Sequence, residues 1–185
     1  MANFLELTKE EQLKYLKNKN LALFVENGEV YDTEGDLSDV IIKTKDKKIY
    51  IICKFDKNDF FNQTTFIIYD SKLSPIGKCS FYHNDYKKYS FNYLYIKKEE
   101  RKKGFGRFLA NIFKEFAFQN YSNPEIYVVP LVFETVGKST RLIKAEQIKL
   151  EGFYLSLDFR LTKQPKEHVF GDLKYKKNEY NLTTF

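Results

Sequence analysis

The sequence contains few of the residues that bind metals or form disulfides. Its 185 residues include two cysteines, Cys53 and Cys79, and two histidines, His83 and His168. These four side chains show no spacing typical of a zinc site. Both cysteines lie in apolar, strand-like stretches, which favours a buried, reduced pair in a cytosolic chain. The sequence therefore predicts neither a metal centre nor a disulfide framework.

Long hydrophobic runs are also missing. No apolar stretch approaches the roughly 18 residues that a membrane-spanning helix requires. The first residues, MANFLELTKEEQLKYL, lack the basic segment and the apolar core of a secretory signal. These features predict a cytoplasmic protein that does not enter a membrane. The chain has no internal repeat, low-complexity segment or linker, so we interpret residues 1–185 as a single domain with a substantial core.

Positive charge, in contrast, is in excess. The chain has 31 lysines and arginines against 25 aspartates and glutamates, a net charge of +6. Residues 97–107 alone carry six basic and two acidic side chains, a net charge of +4. Such a surplus favours an acidic partner. The alternative explanation for the remaining charge is a composition biased toward residues with A/T-rich codons, such as Lys, Asn, Ile, Tyr and Phe.

This basic segment separates a predicted strand from a predicted helix. Residues 89–96 alternate in polarity and are rich in aromatic side chains, as in a strand. The residues after it have apolar side chains at the spacing of one helix face, namely Phe105, Phe108, Leu109, Ile112, Phe113 and Phe116. A helix start that follows a glycine-containing loop offers unpaired amides and a positive dipole end. Gly104 and Gly106 also let the backbone approach a ligand closely, so the segment predicts a phosphate site.

The glycine pattern excludes two common phosphate motifs. The dinucleotide fingerprint requires a third glycine where Leu109 stands, and a P-loop requires Lys and Ser or Thr after Gly106. The remaining pattern, Arg101-x-x-Gly104-x-Gly106, resembles the coenzyme A pyrophosphate loop of the GNAT superfamily of N-acetyltransferases. That loop reads Gln/Arg-x-x-Gly-x-Gly/Ala between a strand and a helix. The alternative interpretation is a solvated basic turn between two core elements.

The order of the predicted elements agrees with this resemblance. Strands are predicted before the loop at 65–69, 76–82 and 89–96, and after the helix at 126–133. The last strand–helix–strand unit predicts a right-handed crossover onto a locally parallel pair. In the GNAT fold these two strands splay apart and accept the pantetheine arm. The resemblance covers about residues 65–160 and implies the α+β class, a mixed twisted sheet with helices on both faces.

Residues 1–64 lie outside the resemblance. Thr8 and Glu11 form a capping-box pattern at the start of a predicted helix over 8–18. Apolar runs predict strands at 40–43 and 49–55. The sequence predicts no role in function for this part of the chain.

A second helix and a closing strand are predicted toward the C-terminus. Ser139 or Thr140 is suited to cap a helix over 141–150, and Gly152 is expected to end it. The sequence "helix, Gly, Phe" at this point resembles a GNAT segment. Alternation predicts a strand over 153–162, and the polar tail is interpreted as a last hairpin.

The resemblance implies acetyl-CoA as co-substrate and assigns residues to it. The pantetheine arm would pair with the backbone of Tyr95 and Ile96, and the N–H of Ile96 would donate to the developing oxyanion of the thioester. The phosphates would be bound by amides and basic side chains of the loop, that is by Arg101, Lys102, Lys103, Gly104, Phe105, Gly106 and Arg107.

The catalytic acid is less clear from the sequence. Family members commonly have a tyrosine four residues before the glycine of the Gly-Phe pair, and this chain has Ile148 there. The nearest substitute is Tyr154, which the predicted closing strand would place past the helix. Because a thiolate is already a tolerable leaving group near neutral pH, a missing acid does not exclude activity.

The general base is equally open. The positions where family members have a glutamate hold Ser90, Asn92 and Tyr93, none of which is a carboxylate. The candidates for holding a catalytic water are His83, Asp85 and Glu134, each of which has an ordinary surface or turn residue as its alternative interpretation. The tyrosines and phenylalanines between residues 82 and 95 either line an acceptor pocket or pack a strand.

The sequence thus predicts an acetyl-CoA-dependent N-acetyltransferase. The amine acceptor is open between a small molecule, a protein and an aminoacyl-tRNA, and the basic surface also leaves a contact with RNA open. The alternative is a catalytically weak or inactive GNAT-like module that binds coenzyme A or nucleic acid. The oligomeric state is not predicted.

Overall fold

A computed structural model describes residues 2–19, 21, 24–26, 29–31, 35–58, 62–83, 88–121, 124–128, 139–161 and 173–175. The helices in these ranges are α1 (Ala2–Glu6), α2 (Lys9–Lys17), α3 (Phe105–Asn120) and α4 (Thr140–Leu155), with a 3₁₀ turn at Lys98–Glu100. The strands are β1 (Phe24–Glu26), β2 (Glu29–Tyr31), β3 (Asp36–Lys45), β4 (Lys48–Asn58), β5 (Asn62–Tyr69), β6 (Pro75–His83), β7 (Lys88–Ile96), β8 (Glu125–Val128), β9 (Phe159–Leu161) and β10 (Leu173–Tyr175).

Eight of these strands form one mixed sheet. Their order is β3-β4-β5-β6-β7-β8-β10-β9, and β1 pairs with β2 separately. Strands β3 to β7 are joined antiparallel in sequence order, whereas β7 and β8 are parallel and connected through α3. Strand β10 lies between β8 and β9, antiparallel to both. The mixed α+β sheet predicted from the sequence is therefore confirmed.

Helices cover both faces of this sheet because its central strands bury both sides. Within β4, Ile52 packs into the cluster under α3 and α4, whereas Ile51 and Cys53 pack into the cluster under α1 and α2. The start of α2 is stabilised as predicted, since the Thr8 hydroxyl accepts from the Glu11 amide and the Glu11 carboxylate accepts from the Thr8 amide.

A β-bulge in β7 changes which side chains face α3. Ser80 pairs with Tyr93 and Phe81 pairs with Phe91, so Asn92 is an extra residue in β7. Because side chains alternate along a strand, the extra residue moves the following side chains to the opposite face. Phe91 packs under α3, whereas Tyr95 packs against the cluster under α2. The aromatic side chains of β7 are therefore divided between the two faces of the sheet.

The predicted end of the last helix is wrong. Helix α4 continues through Gly152 to Leu155, with Ser156 as its C-cap. A glycine ends a helix by adopting a positive φ, and here Asp158 has that conformation instead, at 68°. Tyr154 extends the buried helix face onto the sheet. The predicted strand over 153–162 is consequently reduced to β9.

Two further predictions are met in part. The predicted strand over 126–133 corresponds to β8, and residues 129–133 lie outside the described ranges. The C-terminal tail contributes β10, which pairs with β9 as a hairpin partner, and the rest of the tail lies outside the described ranges as well.

Candidate functional site

The described ladder between the parallel strands β7 and β8 ends before the end of β7. It runs from Lys88–Glu125 to Phe91–Val128, and Val128 is the last residue of β8 that the structure describes. The bulge at Asn92 lies where this pairing stops. A bulge bends its strand and increases the local twist. Beyond it, residues 94–96 at the end of β7 line an open space, which we call the gap.

The backbone of Ile96 faces this gap. The amide of Lys97 donates to the carbonyl of Ile76 at 3.0 Å. Ile76 and Lys97 are thus a hydrogen-bonded cross-strand pair, and the neighbouring pair, Gly77 and Ile96, is a non-hydrogen-bonded one. In such a pair the N–H and C=O groups point away from the partner strand. In agreement, the carbonyl of Ile96 accepts from Nε of Arg101 at 3.0 Å. The same alternation directs the backbone of Tyr95 toward β6, so only Ile96 of the two presents its amide to the gap.

Gly77 fixes the position of Ile96 from the other side. A Cβ on Gly77 would lie 2.5 Å from Cδ1 of Ile96 and 2.7 Å from the carbonyl oxygen of Tyr95. No side chain fits at these distances without displacing the end of β7. Gly77, near the start of β6, therefore lets the end of β7 lie close to β6.

The loop after β7 leads directly into the start of α3. Lys102 and Gly104 both have a positive φ, 64° and 82°, and Gly104 is the N-cap of the helix. The first helical hydrogen bond runs from the amide of Phe108 to the carbonyl of Gly104 at 3.0 Å. The amides of residues 105–107 therefore donate no hydrogen bond within the helix. Together with the positive end of the helix dipole, they form a site suited to bind an anion.

The basic side chains of this loop have different partners. The Arg101 guanidinium lies 5.6 Å from the centre of the Tyr95 ring while it donates to Ile96. Lys103 forms an ion pair with Glu100 at 2.9 Å. Arg107 donates to the carbonyl and to the hydroxyl of Ser156, both at 3.1 Å, and so connects the start of α3 to the end of α4.

A cavity of about 490 Å³ joins the loop to the gap. Its apolar wall includes Leu150 and Phe153 of α4 and Leu94 and Ile96 of β7. The predicted cofactor residues that line it are Tyr95, Ile96, Arg101, Lys102, Gly104, Phe105, Gly106 and Arg107. Lys103 is absent from this lining. The fold therefore brings together all but one of the residues that the loop pattern indicated.

Phe153 is a cavity residue that the sequence did not single out for this role. A Cβ on Gly106 would lie 3.3 Å from Cζ of Phe153 and 3.9 Å from Cγ1 of Ile96. The ring of Phe153 thus packs directly on the second residue of α3. The Gly-Phe segment was its only local signal, and the predicted strand over 153–162 would have directed this ring elsewhere.

Lys45 is a second residue near the loop that no local pattern indicated. It ends β3, and its Nζ lies 5.3 Å from the centre of the Phe105 ring. A Cβ on Gly104 would lie 3.7 Å from this Nζ. The contact joins distant parts of the chain, so only the sheet topology reveals it.

Neither position considered for a catalytic acid lies in the cavity lining. Ile148 is 69% exposed on the outer face of α4, and Tyr154 is buried at 5% exposure. The Tyr154 ring packs edge-on against Phe91 and Phe159. Burial, with a smaller contribution from Cys79, raises the pKa of the Tyr154 phenol above its usual value. The role of Tyr154 as an acid stays a prediction.

The candidates for the base are only partly described. His83 is half-buried, and its ring centre lies 5.8 Å from that of Tyr89, outside the cavity lining. Ser90 is exposed and Tyr93 is half-buried. Asp85, Glu134 and the side chain of Asn92 lie outside the part of the chain that the structure describes.

The described ranges lack two further features. Within those ranges, no helix has the length and apolar character to span a membrane. Over the same ranges, no group of three or more His, Cys, Asp and Glu side chains is placed to hold a metal ion.

Comparisons with known proteins find similarity in structure but not in sequence. No protein-family model and no curated protein matches the chain. A GNAT-family acetyltransferase from Staphylococcus aureus Mu50 is 12% identical at a TM-score of 0.46, over 62% of this chain and 67% of that one. That acetyltransferase belongs to the family whose pyrophosphate loop the sequence resembles.

Two further structures match at similar levels. The PaiA N-acetyltransferase from Thermoplasma acidophilum, in complex with coenzyme A, is 15% identical at a TM-score of 0.46, over 62% of this chain and 60% of that one. The spermidine/spermine N-acetyltransferase SpeG from Vibrio cholerae is 20% identical at a TM-score of 0.43, over 60% and 62%. This chain therefore spans less than two thirds of the length of either protein.

Proposed function

We propose that this protein transfers an acetyl group from acetyl-CoA to an amine. The observation that carries the proposal is the continuity between the gap beside β7 and the loop at the start of α3. One cavity connects the backbone around Ile96 with the amides around Gly106. A ligand with an extended amide-containing arm and a polyanionic end matches both halves of this site.

The described residues fit coenzyme A in three respects. The loop supplies helix-start amides and basic side chains for phosphates, among them Arg101 and Lys102. The end of β7, where the backbone of Ile96 points away from β6, supplies groups for the amides of the pantetheine arm, in the manner of an added strand. The apolar wall of Leu94, Leu150 and Phe153 suits the carbon chain of that arm.

The backbone amide of Ile96 is the proposed oxyanion donor. When bound, acetyl-CoA supplies an activated acyl group that an amine can attack. An N–H group fixed by the β6–β7 ladder is preoriented, and a preoriented donor stabilises developing negative charge without reorganisation. Since the donor is a backbone group, no side-chain substitution at position 96 removes it.

The chain contributes little acid–base chemistry in the described part of the cavity. Its one carboxylate in the lining is Glu100, which is paired with Lys103. A thiol has a pKa of about 8.5, so the leaving thiolate needs little protonation near neutral pH. Holding the amine and the thioester together would therefore provide most of the rate.

The shortage of acid–base groups in the described cavity lining favours one alternative, a binding module without catalysis. A cavity without a described catalytic acid or base is also compatible with a module that binds coenzyme A and does not turn it over. The acceptor is open as well, because the described lining does not select among a polyamine, an amino sugar, a peptide amine and an aminoacyl-tRNA.

The proposal is tested by mixing the purified protein with acetyl-CoA and a panel of these four amine classes. Release of free thiol is followed with a thiol-reactive dye, and binding is followed by titration calorimetry. We expect calorimetric binding and amine-dependent thiol release with at least one class. Binding without thiol release for any amine favours the binding module, and the absence of both contradicts the proposal.

A further inference from the structure

The hairpin of β3 and β4 places a lysine beside the loop at the start of α3. Its two turn residues, Asp46 and Lys47, both have a positive φ, 49° and 61°, and Lys45 pairs with Lys48 across the hairpin. Two-residue turns of this kind fix the register of the strands that they join. The position of Lys45 is therefore set by the sheet.

The side chain of Lys45 lies against the first residues of α3. A Cβ on Gly104 would be 3.4 Å from Cε and 3.7 Å from Nζ of Lys45. Its Nζ is 5.3 Å from the centre of the Phe105 ring, and its side chain is only 19% exposed. The Phe105 ring also packs edge-on against Tyr50 of β4 at 5.2 Å. The hairpin and the helix start are thus packed together.

This arrangement puts a cation where positive charge already accumulates. The start of α3 is the positive end of the helix dipole, and Arg101, Lys102 and Lys103 precede it. Like charges held close together destabilise one another. The ion-pair partner of Lys45 is Asp46, which is 77% exposed, and pairs of such exposure contribute little. An anion bound at the loop would stabilise these charges together.

We infer that Lys45 binds a phosphate group of the cofactor, so that the β3–β4 hairpin forms a second wall of the anion site. The inference rests on the proposed function, since it assigns one more residue to the acetyl-CoA site. It adds a contact from outside the loop motif, and it gives the hairpin a role in binding.

Lys43 offers a matched control on the same strand. It lies two residues before Lys45, so the two side chains share a face of β3. Its Nζ pairs with Glu115 at 2.9 Å. Glu115 lies ten residues beyond Phe105 in the sequence, which corresponds to about 15 Å along a helix axis. Lys43→Met therefore removes the same charge from the same strand without touching the loop.

The test is a calorimetric titration of acetyl-CoA into the wild type, Lys45→Met, Lys45→Gln, Lys45→Arg and Lys43→Met. We expect the Kd to rise about tenfold in Lys45→Met and Lys45→Gln, as for loss of a charge-assisted contact. Lys45→Arg and Lys43→Met should stay within about threefold of the wild type. The salt dependence of the Kd should also become shallower in Lys45→Met and Lys45→Gln but not in Lys45→Arg or Lys43→Met, a change that a purely structural role would not produce.

Titration with acetyl-dephospho-CoA, which lacks the 3′-phosphate, identifies the phosphate concerned. A Lys45→Met effect that disappears with this ligand assigns Lys45 to the 3′-phosphate, and an effect that persists assigns it to the pyrophosphate. If a folded Lys45→Met binds acetyl-CoA as tightly as the wild type, with the same salt dependence, the inference is wrong and the proposed function stands. If the wild type itself does not bind acetyl-CoA, both are wrong.

Discussion

Gly77 and Ile96 lie so close together that no side chain fits between their strands. A Cβ on Gly77 would be 2.5 Å from Cδ1 of Ile96 and 2.7 Å from the carbonyl oxygen of Tyr95. The side-chain end can turn away, but the carbonyl belongs to the β7 backbone. The absence of a side chain at position 77 therefore sets where the amide of Ile96 stands.

The first prediction is that Gly77→Ala damages both stability and turnover. Overpacking of this kind costs about 1–3 kcal/mol in free energy of unfolding, which urea denaturation measures. Displacement of Ile96 should also lower kcat more than it raises the Kd for acetyl-CoA. The double variant Gly77→Ala, Ile96→Val removes Cδ1 and should recover part of the stability but little of kcat, because the clash with the backbone remains. An alanine variant with wild-type stability and kcat contradicts this role of Gly77.

The second prediction concerns the catalytic acid. Because Tyr154 lies on the buried face of α4 and is absent from the cavity lining, Tyr154→Phe should change kcat less than tenfold, or about 1.4 kcal/mol in activation free energy. Ile148→Tyr introduces a phenol on the exposed face of α4 and should leave turnover in place. A hundredfold loss of kcat in a folded Tyr154→Phe variant with an unchanged Kd would make Tyr154 the acid.

The third prediction is that both thiols are inert in the folded protein. Burial raises the pKa of Cys53 and Cys79 to about 12. The pKa of each thiol is thus higher in the folded than in the unfolded chain. The contribution of each neutral thiol to the free energy of unfolding is therefore complete below about pH 8.5 and is lost as the pH rises toward 12. A thiol reagent at pH 8 should label neither cysteine until urea unfolds the chain. Rapid labelling of the native protein contradicts this environment.

The sequence predicts best where the structure depends on local patterns. The apolar face of α3, its start after Gly104 and the basic loop all follow from spacing within one segment. The α2 capping box is equally local, because Thr8 and Glu11 contact each other within one turn.

Three features of the site depend on contacts between distant segments and were not predicted. The bulge at Asn92 exists only relative to the register with β6, so alternation along β7 alone does not reveal which face Tyr95 lies on. Gly152 was expected to end α4, but a glycine does so only with a positive φ, and the buried face of the helix continues through Tyr154. Lys45 meets Gly104 because the hairpin is packed against the start of α3.

The last prediction contrasts two glycines that both lie in helices. Gly106 is the second residue of α3 and lines the cavity, whereas a Cβ on Gly152 of α4 meets no atom within 4 Å. Gly106→Glu would place a carboxylate where the phosphates are proposed to bind, and Gly152→Glu would add the same group to an exposed helix face. Gly152→Glu should raise the free energy of unfolding by about 0.5–1 kcal/mol, since glycine is a poor helix former.

Titration calorimetry of acetyl-CoA into the wild type, Gly106→Glu and Gly152→Glu tests the cofactor site most directly. We predict saturable binding with one site in the wild type and in Gly152→Glu. In Gly106→Glu, folded by circular dichroism, the affinity should fall by at least about a hundredfold, or roughly 2.7 kcal/mol. No heat of binding and no rise in Tm with millimolar acetyl-CoA in the wild type, or equal affinity in Gly106→Glu, would contradict a coenzyme A site at this loop.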